Sequence, residues 1–158
     1  MTSQEKALRK QLAKSLASGE AHIDWKKAIS SFPAKFYGTR PPGFPHSAWE
    51  LLEHMRICQW DILEFSRDAK HESPDFPSGY WPKHQNPPSP ADWKRSFELF
   101  ESDLKAMQAL ITNPKTDLFQ PIPHGTGQTI LREALLVVDH NSYHLGQLVL
   151  IRRMLSNE

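Results

Sequence analysis

The feature that most constrains this chain is its last long segment, Thr129 to Leu155, whose apolar residues fall on two sides of a helix. At about 100° per residue, Leu131, Ala134, Leu135, Val138, Leu145 and Val149 form one broad apolar face. Glu133, Leu136, Val137, His140, His144, Gln147 and Ile151 lie roughly opposite, and only a strip with Arg132, Asp139 and Arg153 is patterned for solvent. A helix apolar on two sides is buried on two sides, so it either runs through the middle of a bundle or also meets a second subunit. Inside it, His140 and His144 stand four residues apart, which puts both imidazoles on one face where they can point at one ion.

The rest of the chain reads as further helices separated by proline-rich connections. Good helix formers run from Ser3 to about Leu16 with Leu8, Leu12 and Leu16 as an apolar stripe, and Gly19 stops the segment. A shorter helical piece, His22 to Ser31, ends at Pro33. After the connection Phe36 to Pro45, the pattern Ser47-Ala-Trp-Glu50 is a capping box that starts a helix reaching about Phe65. One side of that helix carries Trp49, Leu52, Arg56, Trp60 and Leu63; the other carries Glu50, Leu51, His54, Cys58, Asp61, Ile62 and Phe65. Residues Lys70 to Pro88 form a connection of nearly twenty residues, long enough to expect a lid or binding loop, and Phe76, Tyr80 and Trp81 argue that it is packed down. Ser89-Pro90-Ala91-Asp92 opens a third long helix with the buried stripe Trp93, Phe97, Phe100, Leu104, Met107 and Ile111, ended by Asn113-Pro114. Thr126 or Thr129 caps the last helix. The Gly125-Thr-Gly127 before it lacks the lysine of a phosphate loop, so an anion site there is weakly supported. No stretch reads as a strand.

These elements give an all-α four-helix bundle with long proline-rich connections, a single domain over residues 1–158. That length buries enough surface to fold without a metal or disulfide. With 19 basic and 18 acidic residues and no long block of one sign, the chain has no general nucleic-acid footprint. The single cysteine, Cys58, excludes an intrachain disulfide and a multi-thiolate metal site and fits a reducing compartment. No apolar run approaches 18 residues and the first residues are polar, so the expectation is a cytoplasmic protein without a membrane partner.

Metal sites in bundles draw ligands from facing helices, and a third ligand for His140 and His144 should lie in mid-helix on a face otherwise apolar. His54 meets both conditions. Three neutral imidazoles leave a divalent ion its charge and an open position. Two histidines at this spacing are more often hydrogen-bonded core residues than ligands, and only the partner on a second helix raises the metal reading. Gln147, three residues past His144, is placed to bond a ligand, water or substrate. Asp61 and Glu50, on the His54 helix, could orient an imidazole or take a proton, although Glu50 reads better as a cap. Cys58, one turn from His54, could be a fourth ligand or a reactive thiol, against the usual role of buried cysteine as a small apolar residue. His124 could close over the open position. His22 and His84 read as surface residues. Asn141 stands where zinc proteases of the His-Glu-x-x-His pattern carry their base, which excludes that reading.

The combination Ser47-x-Trp49-x-x-x-x-His54 and Asp139-His140-x-x-x-His144-x-Gly146-Gln147 resembles the DinB-like (damage-inducible, YfiT-like) metal-binding four-helix bundles, from about Ser47 to Leu155. The resemblance implies an up-up-down-down bundle with long crossings and His54, His140 and His144 as metal ligands. It further implies zinc or nickel as the ion, a homodimer, and in some branches a reaction that uses a low-molecular-weight thiol. The loop from Lys70 to Pro88 falls outside that core pattern.

The expectation is therefore a metal-dependent enzyme, a hydrolase or thiol transferase, acting on a small molecule. In it His54, His140 and His144 hold the ion, and Gln147 and Asp61 position the nucleophile. The competing expectation is a stress-related binding or scaffold protein with a structural ion or none.

Overall fold

The computed structural model describes residues 1–17 and 21–156, and Gly19, the expected stop of the first helix, lies outside them. Among the described residues the regular structure is helical: α1 (Ser3–Ala17), α2 (Trp25–Ser30), α3 (Ala48–Arg67), α4 (Pro90–Thr112) and α5 (Ile130–Ser156). Four of these are long, and α2 is a six-residue turn of helix that begins three residues later than the sequence pattern predicts. Asp24 explains the later start, because its carboxylate accepts the Lys27 backbone N–H and so fixes the helix N-terminus there.

The other helix starts follow their local chemistry with one exception. Both halves of the Ser47/Glu50 capping box form, and the Glu50 carboxylate is further held by Arg40. Thr129 caps α5 by accepting the Arg132 N–H at 3.1 Å, whereas the Thr126 N–H donates to Gln128. Ser89 makes no side-chain bond to the backbone of α4; its hydroxyl donates to Asp92 instead.

α3 packs on α4 and α5, and α1 closes the bundle against the same two helices. The hydrogen bonds between helices fix their directions. Gln108 of α4 donates to the Ala13 carbonyl of α1, and Arg9 of α1 to the Ile111 carbonyl, so α1 and α4 are antiparallel. Ser96 donates to Glu53, and Gln59 to the Phe100 carbonyl, so α3 and α4 run in the same direction. His54 packs on His144, and Gln59 bonds Asn141, so α3 and α5 are antiparallel. The order is thus up-down-down-up, not the up-up-down-down expected. A parallel α3–α4 pair forces residues 68–89 to carry the chain back along the bundle, and this one return crosses the end of α3 that bears the histidine.

The core joins Leu12, Leu16, Ile29, Leu52, Met55, Phe100, Met107, Leu145 and Leu148 among others, all buried. Burying a residue of this size stabilises by about 1.5–3 kcal/mol each before chain entropy is counted. Arg9 is buried too, because its guanidinium donates to the Ile111, Asn113 and Thr116 carbonyls and so satisfies the end of α4. Of the apolar face expected on α5, Ala134 and Leu145 are buried and Leu131, Val138 and Val149 are half-buried, but Leu135 is 51% exposed. No helix among the described residues is long and apolar enough to cross a membrane.

Candidate metal centre

α3 and α5 meet with their histidines face to face. His54 comes from α3, one turn before Cys58 and two before Asp61 on the same side of the helix; His140 and His144 come from adjacent turns of α5. The ring centroids lie 5.0 Å apart for His54 and His140, 4.7 Å for His54 and His144, and 4.5 Å for His140 and His144. The ligand atoms of His54, Cys58 and His140 lie within 4.8 Å of one another. The structure thus brings Cys58 into the cluster beside the expected pair, with Sγ 3.6 and 3.8 Å from the two ring nitrogens of His54.

Hydrogen bonds set the tautomers. His54 Nδ1 lies 2.8 Å from the Tyr80 carbonyl oxygen, which can only accept, so Nδ1 carries the proton and Nε2 keeps its lone pair. His144 Nδ1 donates in the same way to Gln147 Oε1 at 2.7 Å. Of the partners the sequence offers Gln147, the structure places it against the His144 imidazole. His140 Nε2 faces the bare His54 Nε2 at 3.2 Å. Either His140 donates a proton across that gap, or both nitrogens share a cation.

The donor set fits a cation. Tetrahedral zinc with bonds of about 2.0–2.1 Å to nitrogen holds two ring nitrogens roughly 3.3 Å apart and a thiolate sulfur roughly 3.6 Å from a nitrogen, near the 3.2 Å between the two Nε2 atoms and the 3.8 Å from Cys58 Sγ to His54 Nε2. Burial holds all three imidazoles neutral, as ligands must be. It pushes His140 to about 4, helped by its two histidine neighbours, and His144 to about 4 against the opposing Gln147 bond; it also lowers His54. The Cys58 thiol is pushed up to about 12 by burial and by the nearby Asp61 charge, so without a cation it stays protonated.

Residues 68–89 roof the cluster through side chains to which the sequence assigned packing alone. Trp81 stacks on His54 at 3.9 Å and on the other side against His46 at 4.1 Å. Tyr80 supplies the carbonyl for His54 and donates its hydroxyl to Asp61 at 2.7 Å; burial first, then that bond, pushes the phenol up to about 12. His71 donates to the other Asp61 oxygen at 2.7 Å. Asp61 therefore reaches His54 through Tyr80. Phe76, expected to be packed with these aromatics, is 88% exposed at the rim. Between this roof and α5 lies a cavity of about 400 Å³ that opens beside His54, Cys58 and His140.

The remaining candidates lie elsewhere. His124 does not close over the cluster: its ring bonds the Phe65 carbonyl at 2.6 Å, and neither residue lines the cavity. Glu50 is spent on the α3 cap and Arg40. His22 contacts Ser142, and His84 is exposed. A Tyr-Trp pair inside a proline-rich loop was the one sequence signal that could have marked the roof, and nothing local tied it to His54.

A family model of the DinB superfamily matches residues 20–148, which includes all three histidines and the roof. The chain belongs to the DinB superfamily. No curated protein and no solved structure matches it significantly. As a DinB superfamily member it has a helical bundle in which His54, Cys58 and His140 can hold a metal ion.

Proposed function

We propose that this DinB superfamily chain is a metal-dependent enzyme that works on a small molecule by hydrolysis or thiol transfer. His54, His140 and His144 would hold a divalent ion, zinc or nickel, with Cys58 beside them as a further donor. The bound ion supplies Lewis acidity, which favours the deprotonated form of water or of a low-molecular-weight thiol at neutral pH. The protein's own part is orientation. The Tyr80 carbonyl and Gln147 Oε1 fix two imidazole tautomers, Trp81 holds the His54 ring flat, and the roof limits water. Asp61 places Tyr80 and so acts as a positioning residue.

The observation that carries this reading is the pair of facing Nε2 atoms at the floor of an open cavity. A purely structural ion would be expected in a closed donor set rather than beside such a space. Residence in a reducing cytoplasm fits the single free Cys58. Assembly as a homodimer belongs to the same reading, because Leu135, Tyr143, Leu150 and Met154 leave an exposed apolar row on α5.

Elemental analysis of protein purified without a histidine tag comes first. About one zinc or nickel per chain is expected, and less than about 0.2, with no uptake on addition, would sink the metal site. A screen of small electrophiles with and without thiols then separates enzyme from scaffold. Turnover lost on chelation supports the enzyme; no metal-dependent turnover across the screen favours the scaffold.

A further inference from the structure

The cavity beside the histidines has a chemical character that narrows its occupant. Phe76, Pro77, Tyr80 and Trp81 from the roof, with Ile62 of α3 and Leu136 of α5, make most of its wall. No lysine or arginine lines it among the described residues. Its one carboxylate, Asp61, already accepts from His71 through one oxygen and from Tyr80 through the other. An anionic group entering here meets no cation from the protein, and a cationic group finds the only carboxylate engaged. Burying either charge unpaired is costly, whereas apolar surface gains from leaving water. Phe76 at the rim is a large aromatic left 88% in solvent, the kind of exposure that marks a surface awaiting cover. The volume of about 400 Å³ lies within the range of small-molecule sites. It exceeds the roughly 150 Å³ that holds one benzene ring.

We propose that this cavity binds an uncharged apolar group, an aryl or branched alkyl portion of the substrate of up to about three rings' size, and places the atom to be attacked at the His54–His140 end. A thiol bearing several carboxylates would keep those charges outside the roof, so the enclosed partner is the electrophile. That this group belongs to a substrate rests on the metal-site reading above, but its binding does not.

The test uses two dyes with the same anilinonaphthalene skeleton, neutral N-phenylnaphthylamine and the anionic anilinonaphthalenesulfonate. Each is titrated into the full chain after chelation, with fluorescence as the readout. The neutral dye is expected to saturate one site and bind at least about tenfold more tightly than the sulfonate, because the sulfonate must be desolvated unpaired. Phe76→Ala, which removes an exposed side chain and leaves the fold intact, should weaken the neutral dye by about threefold to tenfold. Leu136→Lys, checked for helicity by circular dichroism, should reverse the preference in favour of the sulfonate. Equal binding of the two dyes, or neutral-dye affinity untouched by Phe76→Ala, overturns the proposal. Zinc titration of the same samples separates the two readings. Loss of zinc uptake with the dye preference intact would refute the metal site alone, and zinc uptake without a dye preference would refute the cavity assignment alone.

Discussion

Two polar clusters bridge α3 and α5 with neighbouring residues and opposite hydrogen-bond logic. In the first, Asn141 donates to Gln59 Oε1 at 2.8 Å, and Gln59 donates onward to the Phe100 carbonyl at 2.7 Å, so the amides link α5, α3 and α4. Donor meets acceptor at each step. In the second, two imidazoles turn their protonated Nδ1 outward to Tyr80 and Gln147, and a bare Nε2 faces another ring nitrogen at 3.2 Å. The first cluster pairs both amide N–H groups with acceptors and ties the helices, leaving Asn141 Oδ1 buried without a partner. The second leaves lone pairs converging beside a cavity, which is the arrangement of a site that takes up a cation.

Removing His144, a proposed ligand, should separate the clusters most sharply. Structural zinc sites bind with about 10–16 kcal/mol shared over three or four ligands, roughly 3–4 kcal/mol each. His144→Ala should therefore lower zinc affinity by about a hundredfold to a thousandfold in calorimetric titration, with the chelated protein still cooperatively folded. Wild-type zinc affinity in this variant would remove His144 from the ligand set. A chelated variant that unfolds would instead make the histidines core hydrogen-bonders.

The next effect is of the opposite kind. Gln59→Leu takes the second donor from the Phe100 carbonyl, which keeps its bond within α4, and leaves the Asn141 amide N–H buried without an acceptor, at a cost of about 1–3 kcal/mol. Urea unfolding of the chelated protein should show a loss of about 1–3 kcal/mol. Zinc affinity should stay within about twofold, since no Nε2 is touched. A loss of zinc binding as large as that of His144→Ala would mean that the two clusters are one.

A smaller effect tests how the second cluster is held. Gln147→Leu deletes the acceptor for His144 Nδ1, and partners of this kind usually govern about 10–100-fold in metal affinity. Gln147→Glu keeps an acceptor and should recover most of the loss. Equal loss in both variants would assign Gln147 to packing rather than to orientation.

The difference between the clusters also explains what the sequence made readable. Helix existence, the α3 capping box and the shared face of His140 and His144 follow from periodicity and local chemistry, because residues four apart on a helix must share a face. Helix direction did not follow. The parallel α3–α4 pair depends on where residues 68–89 lead the chain, and the Gln59–Phe100 and Ser96–Glu53 bonds that reveal it join residues some forty positions apart. The roof was hidden for the same reason: Tyr80 and Trp81 reach His54 across 26 and 27 positions, and a backbone carbonyl carries no side-chain signature. Phe76 was misplaced because aromatic content alone does not say which ring turns inward. On α5, Leu135 is expected on a buried face, and it is exposed because it points to a side of the helix that the elements covering Ala134 and Leu145 do not reach.

The roof supplies the smallest and most diagnostic effect. Tyr80 contributes twice, with a carbonyl that fixes the His54 tautomer and a hydroxyl that anchors the loop to Asp61. Tyr80→Phe keeps the carbonyl and the ring and deletes only the anchor, so its influence on zinc must pass through loop position. Less than about tenfold in zinc affinity is expected, below the range of a direct ligand partner. Acrylamide should also quench the Trp81 fluorescence more readily as its stack on His54 loosens. Asp61→Asn should do the same, since it weakens the anchor from the other side and also changes the His71 contact. If both variants bind zinc as the wild type does, while Trp81 becomes more accessible, the roof shapes the cavity and does not orient the ligand. If zinc affinity falls and Trp81 stays protected, Asp61 acts on the histidines by its charge, and the positional route through Tyr80 fails.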